Sequence, residues 1–182
     1  MDKGDPNPLI VLFRQCVVRI SDGDGGFRGT GFFAAPGQVV TCAHVVHGAA
    51  QLRVWWQGRE EPASVAGAVP PLELVTDARS YPLPDLAVLE VGGDATGWDH
   101  PCVRLGSEPL ALGGGAAGLY LAGYTVEHGP DPALTGVTAE FESLVTEGAD
   151  TFVKLKRGQL LPGLSGSPLL DLHTQAVAAI AE

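Results

Sequence analysis

The chain has 182 residues, of which 45% are hydrophobic and 18% charged, with 25 glycines and 14 prolines. That length and apolar content allow a sizeable core, and glycines and prolines spread between short apolar runs suit a many-turned β fold rather than disorder. A formal net charge of -10 with eleven Lys and Arg residues argues against a general nucleic-acid surface, which relies on clustered cations, and favours solubility.

The first eight residues are polar and broken by Pro6 and Pro8, and the apolar stretch that follows soon meets Arg14 and Arg19, so no signal peptide is expected. No uninterrupted apolar run approaches the roughly 20 residues needed to cross a bilayer, so a soluble, cytoplasmic chain without a membrane partner is expected. Residues 16–20 read as a first strand, and residues 21–26 as a hairpin turn rich in residues that tolerate positive φ. That turn resembles a calcium loop faintly but lacks the Glu that closes an EF-hand. Phe32-Phe33 and Val39-Val40 flank a tight turn at residues 35–37, and the second of these strands delivers His44 to its end. Residues 52–56 alternate as a strand whose Trp55 and Trp56 suit packing, followed by Gly58 and a polar return through Glu60 and Glu61. Leu72 to Val75 precede a proline-stiffened loop that holds Asp85 ahead of the apolar run from Leu86 to Leu89. Residues 92–97 open a connection, and the glycine-rich residues 112–118 lack the Gly-Lys-Ser or Gly-Lys-Thr ending of a phosphate loop. Residues 119–124, 136–145, 151–156, 168–172 and 176–181 supply the remaining strands. Cys16, Cys42 and Cys102 form an odd set without CxxC spacing, so they read as reduced, mostly buried thiols rather than a disulfide framework or zinc ribbon.

Three segments carry chemistry: Thr41-Cys42-Ala43-His44, Pro84-Asp85-Leu86-Ala87 and Gly163-Leu164-Ser165-Gly166-Ser167-Pro168. A serine hydroxyl is a poor nucleophile at neutral pH and needs a base within hydrogen-bond reach. His44 is the candidate base for Ser165, because imidazole changes charge near neutrality. Asp85 is the candidate orienter that fixes the ring tautomer. Gly163 lets the backbone turn so that its own amide and that of Ser165 converge on a tetrahedral oxyanion. Alone, His44 would suit a core histidine, Asp85 a turn cap and Ser165 a turn serine; their joint occurrence favours a triad. Cys42, His44 and His47 also invite a zinc reading, but no complementary cluster of ligands accompanies them, and no metal is expected. His47, His100, His128 and His173 receive no role. Separations of 41 residues from His44 to Asp85 and 80 from Asp85 to Ser165 suit three loops on a large β scaffold. The order His, Asp, Ser differs from the orders in subtilisins and α/β-hydrolases.

These segments, with Gly29-Thr30-Gly31-Phe32-Phe33 ahead of the histidine, resemble the trypsin-like (chymotrypsin-fold) serine protease family over most of the chain. The wording Gly-Leu-Ser-Gly-Ser-Pro without flanking disulfides most resembles bacterial intracellular trypsin-like domains that accompany signalling or defence ATPases. The resemblance implies an all-β fold of two six-stranded antiparallel barrels. Residues 1–95 would form the first, carrying His44 and Asp85; residues 96–118 the connection; and residues 119–182 the second, carrying Ser165 and short of its final strands. It further implies a serine endopeptidase working through an acyl-enzyme on Ser165 with an oxyanion hole from the Gly163 and Ser165 amides. No cofactor is implied; the partners are a protein or peptide substrate and a fused or associated ATPase or signalling domain that relieves latency. Two positions depart from the digestive enzymes of the family. Leu164 replaces the aspartate that pairs with a freshly cut N-terminus, which argues against zymogen activation, and Gln159 stands where trypsin has its specificity aspartate. A catalytically inactive trypsin-like scaffold acting as a protein-binding module is the alternative reading.

Overall fold

The computed structural model describes residues 7–74, 82–92, 99–107, 118–127, 129–147, 150–157 and 161–182. Six strands, β1 (Val17–Asp22), β2 (Phe27–Ala35), β3 (Gln38–Thr41), β4 (Leu52–Trp56), β5 (Arg59–Val69) and β6 (Leu86–Val91), close into an antiparallel barrel in the order β1-β2-β3-β6-β5-β4. Its core is formed by Val18, Ile20, Phe33, Val39, Val54 and Leu89, none of which is exposed to solvent. A second, curled antiparallel sheet contains β7 (Gly118–Thr125), β8 (Ala133–Glu147), β9 (Asp150–Arg157), β10 (Pro168–Asp171) and β11 (Ala176–Ile180), in the order β11-β10-β7-β8-β9. The protein is therefore all-β with a chymotrypsin-like double-barrel architecture, the second half being an open five-stranded sheet among the described residues.

Strand alternation joins the halves. Consecutive side chains of a strand point to opposite faces, so Phe33 enters the first barrel while Phe32 turns outward into a shared cluster with Phe13, Val17, Ala122, Tyr124, Leu170 and Val177. A third cluster, Leu119, Leu121, Ala139, Leu164, Leu169 and Ala181, fills the second sheet. Residues 103–106 strap the two together: the Val103 amide donates to the Phe33 carbonyl at 2.9 Å, and the Val177 amide to the Arg104 carbonyl at 2.8 Å.

Two of the elements that differ from expectation are a helix ahead of the first barrel and a strand within it. Residues 8–15 form helix α1 (Pro8–Gln15), which went unread although Asn7 caps it, its side chain accepting from the Leu9 amide at 3.0 Å, and Pro8 occupies its first turn. The polar return after Trp56 is an eleven-residue strand, β5, mostly exposed along its length. It lacks an apolar periodicity because its work is done by the backbone, which pairs with β4 on one side and β6 on the other and so closes the barrel. The hairpin turn after β1 forms as expected, with the Asp22 carboxylate accepting from the Asp24 and Gly26 amides. Trp56 is buried, and Trp55 packs edge-on to Tyr124 at 6.1 Å. The glycine-rich residues 112–117, Gln159 and His128 lie outside the described residues.

Candidate active site

β3 ends at Thr41, and the chain turns through Cys42 into the short helix α2 (Ala43–Val46), which carries His44. Arg28 on β2 secures that helix by donating from Nε to the Val45 carbonyl and from its terminal nitrogen to the His47 carbonyl, both at 2.6 Å. A guanidinium on the last carbonyls of a helix satisfies acceptors that would otherwise lack partners. β3 pairs directly with β6, so the residue that precedes β6 arrives beside the residue that follows β3. That pairing brings Asp85 to His44 across the 41 residues that separate them.

The Asp85 side chain is almost wholly buried, and its two oxygens divide two donors of one residue. Oδ1 accepts from the His44 backbone amide at 2.9 Å, and Oδ2 pairs with His44 Nδ1. Burial by itself raises the carboxyl pKa, but the bonds from the His44 ring and backbone outweigh it and hold Asp85 below the usual carboxylate range. An ionised carboxylate only accepts, so the proton of a neutral ring sits on Nδ1 and the lone pair on Nε2. Nε2 is thereby the basic atom, on a side chain that is 30% exposed.

Ser165 lies in the loop between β9 and β10, packed against the same end of β2. A methyl group built at Gly29 would stand 2.8 Å from Val45 Cγ2 and 3.1 Å from the Ser165 carbonyl oxygen, so α2 and the serine loop meet over a single glycine that has no room for a side chain. Thr30, fully buried, ties the loop down twice: its amide donates to the Ser165 carbonyl at 3.0 Å and its hydroxyl to the Gly163 carbonyl at 2.9 Å. The Thr41 hydroxyl donates in turn to the Thr30 carbonyl at 2.6 Å. Gly163 adopts φ +98°, which L side chains rarely adopt. Leu164 is buried in the core of the second sheet, where an apolar side chain belongs and a carboxylate would not. Among the described residues, the amides of Gly163 and Ser165 donate to no protein acceptor.

The metal reading takes a different form from the sequence pattern. Donor atoms of Cys42, His44 and Asp85, without His47, lie within 4.8 Å of one another. Hydrogen bonds already use them: Cys42 donates its thiol proton to the Ala181 carbonyl at 3.2 Å, and Asp85 holds the ring. Burial, reinforced by the Asp85 charge, pushes the Cys42 thiol up to about 12, whereas a metal needs the thiolate. His100 is a packing group, stacked on Phe33 with centroids 3.6 Å apart and accepting from the Gly37 amide at 3.2 Å. Thr30, Thr41 and Arg28 are positioning residues that went unread. The two threonines had a signal only through their places in Gly29-Thr30-Gly31 and Thr41-Cys42-Ala43-His44.

The family model of the trypsin-like peptidase domain matches residues 29–180, a span that includes all three segments. The chain belongs to the trypsin-like peptidase domain family. No curated protein matches the sequence. Among solved structures it is similar to Rv3671c from M. tuberculosis in an inactive form carrying a serine-to-alanine substitution, at 25% identity and a TM-score of 0.70, covering 97% of this chain and 80% of that one. The active form of the same protease gives 24% identity and a TM-score of 0.69, over 97% of this chain and 75% of that one. The HtrA-type protease AlgW, solved with a decapeptide, shares the fold at 17% identity and a TM-score of 0.67, over 94% of this chain and 57% of that one. Family and fold together identify a trypsin-like serine protease scaffold.

Proposed function

We propose that the protein is a serine endopeptidase that cleaves protein substrates through an acyl-enzyme on Ser165. Ser165 Oγ attacks the scissile carbonyl carbon while its proton passes to His44 Nε2. The oxyanion so formed is met by the Gly163 and Ser165 amides. His44 then returns the proton to the leaving amine as the carbon–nitrogen bond breaks, and water repeats the cycle on the ester. Asp85 keeps the Nδ1 proton in place and balances the imidazolium charge. The observation that carries this reading is the His44–Asp85 pair, in which one buried carboxylate takes both the ring and the backbone amide of the same residue. That arrangement has an evident use in orienting a base and is more elaborate than a surface ion pair requires.

A cytoplasmic location is part of the proposal, supported by three free cysteines. Among the described residues no helix is long and apolar enough to cross a membrane. The test is a fluorophosphonate probe on the folded chain, with the adduct located by peptide mass spectrometry. The proposal expects modification of Ser165 that disappears in His44→Ala and Ser165→Ala. Equal labelling of the wild type and His44→Ala removes the assigned base. A well-folded chain that takes no label supports the non-catalytic binding module. Labelling that appears only with an added ATPase or signalling domain supports the latent form.

A further inference from the structure

Four consecutive peptide carbonyls of the serine loop, from Pro162 to Ser165, are separately held, and the first of these holds lies on Thr125. The Thr125 hydroxyl, at the end of β7, donates to the Pro162 carbonyl at 2.9 Å. The next three carbonyls accept from the Thr30 hydroxyl (Gly163), the Ser167 amide (Leu164) and the Thr30 amide (Ser165), at 2.9, 2.9 and 3.0 Å. In a planar trans peptide the carbonyl and the N–H point in opposite directions. Holding the Pro162 carbonyl therefore turns the Gly163 N–H away from Thr125, and holding the Leu164 carbonyl turns the Ser165 N–H away from the Ser167 amide. Of the four N–H groups in these peptides, Leu164 donates to the Leu161 carbonyl at 3.1 Å and Gly166 to the Ala181 carbonyl at 2.8 Å. The two left over are the pair assigned above to the oxyanion.

Thr125 is fully buried, and its single proton is committed. Its oxygen also receives the Glu127 amide at 3.2 Å, and an amide can only donate, so the hydroxyl proton is available to Pro162 alone. Gly163, with its φ of +98° and no Cβ, is the residue at which this peptide can most readily rotate. A rotated Pro162–Gly163 peptide would present a carbonyl where the oxyanion must form. We propose that Thr125 is a positioning residue that locks the Pro162–Gly163 peptide in the orientation that offers the Gly163 amide to the oxyanion. The proposal rests on the peptidase reading for its catalytic consequence, and on the hydrogen bonds alone for its structural one.

The experiment compares Thr125→Val, which keeps the shape and loses the donor, with Thr125→Ser, which restores it, each checked for folding by thermal unfolding. Hydrolysis of a reporter peptide should fall about tenfold or more in kcat with little change in KM for the valine variant, within the ~10²–10³-fold that outright loss of an oxyanion donor costs. The serine variant should stay within a few-fold of wild type. Affinity for a peptide boronate, whose tetrahedral adduct uses the same amides, should fall in parallel. In ¹⁵N–¹H spectra of the unliganded chain, the Gly163 amide should shift in the valine variant and keep its wild-type position in the serine variant. If the valine variant does not fold, Thr125→Ala against Thr125→Ser makes the same comparison. An unmoved Gly163 amide, or equal loss of kcat in the serine and valine variants, overturns the proposal. A wild type that neither hydrolyses peptides nor takes the boronate refutes the peptidase reading instead, and the Gly163 resonance then decides the lock by itself.

Discussion

Replacing Asp85 by Asn tests the arrangement of the site at its most sensitive point. The carboxylate serves two donors of His44 with two acceptor oxygens, the amide at 2.9 Å and the ring Nδ1. Asparagine offers one acceptor and one donor group in the same volume. If its oxygen keeps the backbone amide, its NH2 faces Nδ1, and the ring can satisfy it only by moving its proton to Nε2. The base is then protonated on the side meant to accept from Ser165. If the NH2 faces the backbone amide instead, two donors oppose each other in a buried site, at about 1–3 kcal/mol. Either way the imidazolium formed during reaction loses its counter-charge. The expected loss is ~10⁴ in kcat, the scale seen when an orienting aspartate is amidated, which corresponds to about 5 kcal/mol of barrier. The assay is the rate of fluorophosphonate labelling at Ser165, with intact mass to follow occupancy and circular dichroism to confirm the fold. A variant that labels within a few-fold of wild type would refute the argument that Asp85 sets the tautomer of His44.

Gly163→Ala should lower both stability and activity. Its Cβ would stand 2.8 Å from the Tyr124 carbonyl oxygen at a backbone φ of +98°, a strain of about 1–3 kcal/mol that lowers Tm by at least ~2–4 °C. The buried thiols should make the protein sensitive to alkali: burial raises both Cys16 and Cys42 from 9.0 to about 12. Because their folded values lie above the unfolded one, stability is complete below about pH 9 and falls as pH rises toward about 12, by up to ~1.4 kcal/mol per pH unit for each thiol. Denaturant titrations at pH 8, 9 and 10 measure this, and Cys42→Ala should flatten the slope. On the acid side the sign reverses for Asp85, whose folded pKa lies below the usual value. Its contribution is present above the unfolded carboxylate range and is lost as pH falls through the folded value, so Asp85→Asn should lessen the acid-induced loss seen in the wild type.

Much of the strand pattern was legible because short apolar runs bounded by glycine, proline and aspartate leave few choices. The runs at residues 52–56, 119–124 and 151–156 all became strands, and that at 16–20 did so from Val17 onward, Cys16 closing the helix before it. Reading failed where the driving force was not side-chain hydrophobicity. β5 is held by main-chain pairing on both edges, and α1 is too short to show a periodic face, so its Asn-Pro cap was the sole signal. At the site, the residue types and their order were visible, as was the need for a turn at Gly163.

The sequence by itself determined the chemical inventory: a histidine at a strand end, an aspartate before an apolar run and a serine between glycines, together with the alternation that makes a β protein. These are local properties, written in residue type and spacing. The tertiary structure alone decided which groups meet. The register of β3 against β6 puts Asp85 on His44, the absence of a side chain at Gly29 lets α2 and the serine loop touch, and two buried threonines hold carbonyls more than thirty residues away in sequence. A hydroxyl's partner depends on where a distant backbone comes to rest, and that position follows from the closure of the barrel and the packing of the second sheet against it.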